Sequence, residues 1–273
     1  MRHAARTHLR APFATIGVLL AAVLLAGALS PSREGREDRT TLEEADSLYW
    51  AGEPAGGLTL LEDFLRSHPD DYEARWKASR AALSVGVLDP NRASGREAFD
   101  RGIAHGLQAG RIEPDGIDGL YWLSANVGRR SFLLSPRESA RAGQEVYELS
   151  HRILALDPLH AGAHDALGMV AYRVMRLSAF ERFVARTLLG NQALESASWE
   201  IAEKHLLRAV ELDPTWLVPR LDLGRTYLYS DRIDLAEAEL RRAADLPLRH
   251  PGDRVFRQET VDALAYARSL GAR

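Results

Sequence analysis

The stretch "LGRTYLYSDRIDLAEAELRRAADLP" (223–247) decides the fold, because it contains two helical patterns separated by a short polar turn. Apolar residues recur in both halves with the 3.6-residue period of an α-helix. Gly224, Ala236 and Ala243 are small, which lets two antiparallel helices approach closely, and Pro247 ends the second helix. The stretch therefore predicts a tightly packed pair of helices.

The same signals occur 56 residues upstream. "ALG" (166–168) matches "DLG" (222–224), and "LALDP" (154–158) matches "VELDP" (210–214). Two independent anchors with one offset indicate an internal repeat. The order of small and large residues within the pair resembles the tetratricopeptide (TPR) pattern, whose period is about 34 residues.

Weaker copies precede these two, and no strand-like alternation is found from residue 41 onward. We therefore predict an all-α fold, a TPR-like right-handed helical solenoid over 41–273. It would contain about five helix pairs and a C-terminal capping helix at 257–271. "TLEE" (41–44) and "SPRE" (135–138) each have the sequence of a capping box that starts a helix.

The repeats are unevenly spaced. The prolines that close successive pairs lie 45, 44 and 56 residues apart, which is more than the ~34 residues of a TPR unit. The extra residues form three inserts between the two helices of a pair, at 87–94, 129–136 and 176–196. Since inserts at one edge of a solenoid commonly build its binding face, we predict that these three roof the concave groove. The third is predicted to contain an amphipathic helix at 176–190.

The first 29 residues predict export or membrane attachment. Residues 1–10 are basic, and residues 13–29 form an uncharged run of 17. This length lies between a secretory signal core of roughly 7–15 residues and a spanning helix of roughly 20. A cleaved signal peptide and a single N-terminal membrane anchor are therefore equally favoured, and either sends the body across the membrane. Residues 30–40 are predicted to be a linker.

Composition and motifs exclude several function classes. The formal net charge is −3 and cysteine is absent, so we expect no nucleic-acid partner, disulfide or cysteine-based chemistry. His160 and His164 have the four-residue spacing of metal ligands on a helix, but no glutamate follows the first histidine. Ordinary histidines at a helix start are favoured. With no catalytic constellation in the sequence, we predict a protein that is not an enzyme and has no cofactor and no metal.

The third insert also carries a family resemblance. "RLSAFERFVARTLLG" (176–190) followed by "SWEIAEKHLLRAVELDPTW" (198–216) resembles the TPR-type regulators of microtubule dynamics. In that family an L-S-[WA]-[FL]-E-R-x-x-A segment lies at the same place inside a repeat. "GLYWLSANVGR" (119–129) is similar to bacterial relatives, including the TPR component associated with TRAP-type solute transporters.

The resemblance implies a non-enzymatic, all-helical binding scaffold, often with an N-terminal membrane segment. The transporter-associated members are envelope lipoproteins, and that anchoring does not apply to a chain without cysteine. Nothing in the residues supports tubulin as a partner. We expect the bacterial cell envelope as the location, either exported or on the periplasmic side of the inner membrane.

Two functions follow. The first is a scaffold that binds a protein partner or a small hydrophobic ligand in its concave groove; the second is an accessory, ligand-handling component of a TRAP-type transporter. Membrane contact through 13–29 is expected if that segment is not cleaved. Aromatics at helical spacing are also typical of a core, which remains an alternative for the aromatic candidates. The candidate groove residues are Tyr121, Trp122, Asn126, Arg129, Tyr172, Arg173, Arg176, Arg225 and Tyr229.

Overall fold

The computed structural model describes residues 33–271, with side chains from residue 38 onward except at positions 188 and 189. Every regular element in this part of the chain is helical, which confirms the all-α prediction. A 3₁₀ turn, Ser131–Leu133, follows the fifth helix. The α-helices are α1 (Arg33–Trp50), α2 (Pro54–Phe64), α3 (Tyr72–Leu88), α4 (Arg92–Ile112), α5 (Ile117–Arg130), α6 (Pro136–Leu156), α7 (Ala161–Met175), α8 (Ala179–Leu189), α9 (Gln192–Ser196), α10 (Trp199–Leu212), α11 (Leu217–Tyr229), α12 (Ile233–Asp245) and α13 (Asp253–Gly271).

From residue 41 onward the described helices form the larger of two units of the chain. In the larger unit α3 packs against α4, α5 against α6, α7 against α10 and α11 against α12. The first helices of the pairs also contact one another in the order α3, α5, α7, α11 and α13, and we call this row the inner row. The predicted TPR-like solenoid is thereby confirmed.

Small residues hold the pairs together, as the sequence predicts. A Cβ atom at Gly168 in α7 would come within 2.5 Å of Leu206 Cγ in α10. One at Gly224 in α11 would come within 2.6 Å of Leu240 Cγ in α12. Both leucines are completely buried. Side chains beyond glycine would clash at these crossings, so glycine sets how closely the two helices approach.

One of the two predicted capping boxes is confirmed and the other is wrong. α6 begins at Pro136, and the Glu138 carboxylate accepts a hydrogen bond of 3.1 Å from the backbone N–H of Ser135. α1, in contrast, begins at Arg33, so Thr41 lies inside a helix rather than at its start. Residues 33–40 were predicted to be a linker, but they are rich in arginine and glutamate, which favour helix formation over an irregular linker.

The first two inserts are mostly helix rather than loop. α3 continues to Leu88 and α4 starts at Arg92, while α4 and α6 each reach 21 residues. Longer helices therefore absorb the extra residues of the repeat, and only short turns remain between them.

The third insert contains α8 and α9, which form a short helical hairpin. Ser178 and Glu181 cap α8 reciprocally, with hydrogen bonds of 2.8 and 3.2 Å. Gly190 ends the helix in a left-handed conformation with φ 48°. The Arg186 guanidinium donates from Nε to the Leu194 carbonyl oxygen at 2.9 Å and thereby ties α8 to α9.

The apolar run at residues 13–29 lies outside the described residues. Among the helices that the structure does describe, none is long and apolar enough to span a membrane.

Candidate functional site

A cavity of about 950 Å³ lies along the inner row. α3, α5, α7 and α11 contribute residues to its wall, and so do the N-terminal half of α6, the hairpin α8–α9 and the start of α13. Cavities of about 300–1,000 Å³ are typical of small-molecule sites. The volume of this cavity therefore lies within the range of small-molecule sites.

One half of the cavity is apolar and lies between α6, α7 and the α8–α9 hairpin. Its wall contains Val146, Val170, Val174, Val184 and Leu194. Val146, Val170 and Leu194 are buried in the surrounding hydrophobic clusters, so this wall is anchored in the core of the array. It offers an apolar surface to a ligand.

The inserts contribute to the wall unequally. The first provides only Val87, the second provides Phe132 and its neighbours, and the third provides residues of both α8 and α9. The predicted role in bounding the groove therefore rests mainly on the second and third inserts.

A cluster of two arginines and one aromatic ring forms the polar part of the cavity. The guanidinium carbon of Arg173 lies 4.1 Å from the centre of the Phe132 ring, and that of Arg129 lies 5.4 Å from the same centre. Arg129 also stacks on Phe256 of α13 at 4.8 Å. Arg173 donates from Nη2 to Ser139 Oγ at 2.8 Å and from Nη1 to Ser131 Oγ. Within the described residues, neither arginine forms an ion pair with an acidic side chain.

Two acidic side chains, Asp165 and Asp222, also line the cavity. Asp165 Oδ1 is buried without a hydrogen-bond partner. Burial raises the pKa of Asp165 well above its usual range, and the nearby Asp222 carboxylate adds to the effect. Burial also raises the pKa of Asp222 to about 6, although the Arg225 guanidinium 3.4 Å away opposes this. Burial therefore favours the neutral form of Asp165, whereas the nearby Arg129 guanidinium favours its charged form.

The segment before α13 closes one end of the cavity. His250 Nδ1 and Tyr49 Oη of α1 form a hydrogen bond of 3.3 Å across 201 residues of sequence. Asp253 begins α13, and its carboxylate accepts from the backbone N–H groups of Arg249 at 2.7 Å and His250 at 2.9 Å. The last helix of the array is thus fastened to the first.

Four of the nine predicted groove residues line the cavity: Tyr121, Trp122, Arg129 and Arg173. Asn126 does not, because it is completely buried between helices. Its Nδ2 donates to the carbonyl oxygens of Ser79 at 3.0 Å and Trp122 at 2.8 Å, which gives it a packing role.

The other four predicted residues lie outside the cavity wall. The guanidinium carbon of Arg176 stacks 3.3 Å from the centre of the Tyr229 ring, and its Nη1 donates to Tyr172 Oη at 3.0 Å. Arg225 is paired with Glu259 of α13 at 2.9 Å. These side chains satisfy one another, so they offer a ligand less than Arg173 does. Whether any of the nine binds a ligand stays a prediction.

Sequence reasoning missed Phe132, Ser139 and Asp222. Phe132 lies in an insert that was recognised, and an aromatic residue beside two arginines was the available signal. Asp222 carried no such signal, because its proximity to Asp165 comes only from the packing of α11 against α7.

The histidines have helix-capping and packing roles. His160 caps α7, with its Nδ1 accepting from the backbone N–H of Ala163 at 3.1 Å. His164 Nδ1 lies 3.0 Å from His205 Nδ1 of α10. Between residues 33 and 271 no three His, Asp or Glu side chains are grouped as metal ligands would be.

Known proteins resemble the chain both in sequence pattern and in fold. Among solved structures, a thermophilic TPR protein of Thermus thermophilus has a TM-score of 0.59 and 20% identity, covering 84% of this chain and 99% of that one. MamA of Desulfovibrio magneticus RS-1 has a TM-score of 0.47 and 15% identity, covering 78% and 96%. At such identities the likeness concerns the fold alone. No curated protein sequence matches significantly.

A family model described as "Regulator of microtubule dynamics protein 1-3" matches residues 41–268. This match runs from within α1 to the last turn of α13. The chain therefore belongs to the family of regulator of microtubule dynamics proteins.

Proposed function

We propose that this protein is a non-catalytic TPR scaffold that holds a small ligand, or a short apolar segment of a partner, in the cavity along its inner row. The observation that carries the proposal is the cavity itself: about 950 Å³, walled by the inner row on one side and by the second and third inserts on the other. Stacked helices hold such a wall rigid, so binding costs little ordering entropy.

The cavity offers a clean way to test this. Gly143 of α6 lines it, and a Cβ there would meet no atom within 4 Å. Gly143→Phe should place a phenyl ring in the cavity and obstruct it without disturbing the packing of α6. Gly110 of α4 is the matched control, since it also lies in a helix with open space around its Cα but does not line the cavity.

The measurement is native mass spectrometry of the full chain as purified, followed by solvent extraction and identification of small molecules that co-purify. We expect bound molecules with the unmodified protein and with Gly110→Phe, and their loss with Gly143→Phe. Equal retention by all three proteins would show that the cavity is not the binding site.

We further propose that the array works in the bacterial cell envelope, exported or tethered by residues 13–29. The support is the uncharged run that follows Arg2, Arg6 and Arg10. Alkaline phosphatase fused after residue 40 should be active, because the enzyme matures only outside the cytoplasm. Replacing the three arginines by glutamate should reduce that activity. An inactive fusion with the natural N-terminus would refute the location.

A role as accessory component of a TRAP-type transporter is the second candidate. The ligand-sized volume of the cavity favours it, since handing on a solute requires a site that accommodates one. The purified chain should then form a complex with the transporter's solute-binding protein in size-exclusion chromatography. Separate elution at micromolar concentrations would rule this version out and leave the scaffold proposal intact.

A further inference from the structure

We infer that His164 of α7 and His205 of α10 form a binding site for a divalent first-row metal ion, with copper(II) bound most tightly. The two side chains meet where the helices of this pair pack together, and the Nδ1 atom of each imidazole is the ligand. The inference is independent of the cavity and of the molecule that the cavity holds.

The two nitrogen atoms already lie at a chelating distance. His164 Nδ1 is 3.0 Å from His205 Nδ1, although 41 residues separate the two histidines in sequence. Metal–imidazole bonds are about 2.0–2.1 Å long, so two such bonds that meet at an angle of about 95° span this distance. An angle near 90° is typical of the square-planar and tetragonal geometries that copper(II) and nickel(II) prefer. The packing of α7 against α10 therefore brings together two ligands that a metal ion requires.

A second contact orients one of the two rings. His164 Nε2 lies 3.3 Å from the Pro158 carbonyl oxygen, which can only accept, so Nε2 carries the proton and Nδ1 keeps its lone pair. Metal-binding histidines commonly donate their other ring N–H to a carbonyl or a carboxylate in this way. In the hydrogen bond between the rings, His205 donates from Nδ1. When a metal ion takes the place of that proton, the proton moves to His205 Nε2 through solvent, and both Nδ1 lone pairs turn towards the ion.

Both imidazoles are neutral and accessible to an ion. Burial, and then the neighbouring His164, lower the pKa of His205 to about 4, and burial lowers the pKa of His164 as well. Protons therefore do not compete for the ring nitrogens at neutral pH. Both side chains are only partly buried, so a hydrated ion reaches them. The positive charges of Lys204 and Arg208 act on His164 and oppose a further cation, which favours copper(II), the ion with the highest affinity for nitrogen ligands.

The helical spacing of His160 and His164 does not provide the site. His160 Nδ1 accepts from the backbone N–H of Ala163 at 3.1 Å and caps α7, so its lone pair is already used. His164 instead has its partner on α10. Among the described residues no third His, Asp or Glu joins the pair, so water completes the coordination. A donor set of two imidazoles and water suits copper, nickel or zinc, whereas magnesium and calcium prefer oxygen ligands.

A bound ion links the two helices of one repeat. His164 lies one turn before Gly168 on α7, and His205 directly precedes Leu206 on α10, so the site is next to the crossing of these helices. The two ligands are together only while the helices are packed. Metal binding therefore stabilises the helix pair that carries the third insert.

The test titrates the full chain in nanodiscs with copper(II), nickel(II), zinc or magnesium salts, followed by isothermal titration calorimetry in a buffer that does not bind metals. No protein carries a histidine tag. Every protein contains His3→Gln and His8→Gln, so that the N-terminal segment contributes no imidazole. Electron paramagnetic resonance of the copper(II) complex counts the nitrogen ligands.

We expect copper(II) to bind more tightly than nickel(II) or zinc, and magnesium not to bind measurably. The copper spectrum should show two nitrogen ligands. His164→Gln and His205→Gln should each weaken copper binding by about tenfold or more and leave a single nitrogen ligand. His151→Gln is the matched control, because this exposed histidine of α6 is near enough to affect the pKa of His205 but is not a ligand. It should bind copper(II) like the parent protein.

Hydrogen exchange tests the link between the helices. At a copper concentration ten times the dissociation constant, amides of α7 and α10 should exchange about tenfold more slowly in the parent protein. Those of α3 and α4 should keep their rates, and EDTA should reverse the effect. Neither glutamine variant should respond to copper at that concentration.

Unchanged copper affinity in both glutamine variants would overturn the inference, and so would a spectrum of the parent protein with fewer than two nitrogen ligands. A loss in His151→Gln as large as the loss in His164→Gln would also overturn it, because binding would then not depend on this pair. Circular dichroism verifies that each variant is folded, and the spectrum of the parent protein decides the matter if a variant is not. None of these outcomes bears on the cavity, which the native mass spectra test separately.

Discussion

Two neighbouring repeats, the pair α7/α10 and the pair α11/α12, differ mainly in what lies between their helices. A turn of three residues, 230–232, joins α11 to α12, whereas the α8–α9 hairpin separates α7 from α10. The two helices of each pair nevertheless cross in the same way, with a glycine opposite a completely buried leucine. A Cβ atom added at that glycine would lie at nearly the same distance from the leucine Cγ in both pairs. An insertion at this edge therefore adds a wall to the cavity without changing the repeat that carries it.

A second difference lies at equivalent positions one turn away from those glycines. In α11/α12 the contact is the ion pair Arg220–Glu239, at 2.8 Å. In α7/α10 the contact is His164–His205, with 3.0 Å between the two Nδ1 atoms. The two pairs thus share their apolar packing and differ in how their polar contact responds to pH.

The strongest test of the shared packing removes the leucines. Leu206→Ala and Leu240→Ala should each lower the free energy of unfolding by about 2–5 kcal/mol, because each leaves a cavity beside its glycine. The two losses should agree within about 1 kcal/mol if the crossings are equivalent. Urea unfolding followed by circular dichroism measures both.

Leu207→Ala is the matched control, since that side chain belongs to the same helix and is 38% exposed. Leu207→Ala should lower the free energy of unfolding much less than Leu206→Ala does. If Leu206→Ala lowers the free energy of unfolding far less than Leu240→Ala does, the insert loosens its repeat, contrary to the comparison.

The next test varies the pH. The expected change in stability is smaller, because water screens the half-exposed imidazoles. Burial, and then the neighbouring His164, lower the pKa of His205 to about 4, with Lys204 and His151 adding to the shift. Burial lowers the pKa of His164 as well. The unfolded chain therefore binds more protons than the folded chain between about pH 4 and 6.5, so stability falls as the pH drops through that window.

The double variant His164→Arg/His205→Glu transplants the polar contact of α11/α12 into α7/α10. Its melting temperature should fall less between pH 6.5 and pH 5 than that of the unmodified chain. Both proteins share every other titrating group, so the difference in slope isolates this contact. Parallel slopes would mean that the histidine pair does not couple folding to pH.

The helix pairs could be predicted from sequence because their signals are local. Gly168 and Gly224 lie in the same short pattern of small and large residues, and the closing prolines end the second helices. Prolines do not show where a first helix stops, however. The extra residues near 87–94 and 129–136 were therefore assigned to loops, although longer helices absorb most of them.

The cavity was only half predictable, for a related reason. Arg129 was identified as a polar group that follows an apolar helical stretch, and Arg173 as one of the arginines at the third insert; both are local properties. Whether such a residue faces the cavity depends on how each inner-row helix is rotated against its neighbours. That rotation buries Asn126 against Ser79 of α3 and turns Arg176 onto Tyr229, and no pattern within a single helix encodes it.

The smallest effect expected concerns the insert alone. Gly190 ends α8 with φ 48°, and its backbone N–H donates to the Arg186 carbonyl oxygen at 3.0 Å. Alanine in this left-handed conformation costs about 1–2 kcal/mol. Since the hairpin lies outside the crossing of α7 and α10, Gly190→Ala should open α8 without lowering the stability of the pair.

Hydrogen exchange in the Gly190→Ala protein shows whether α8 opens alone or whether α7 and α10 open with it. Amides of α8 should exchange about five- to thirtyfold faster, while those of α7 and α10 keep their protection. Gly110→Ala is the control, because that glycine lies in a helix with open space around it, where alanine stabilises by about 0.5–1 kcal/mol. If α7 and α10 lose protection together with α8, the insert is an integral part of its repeat. The equal crossings of the two pairs would then depend on a hairpin that only one of them has.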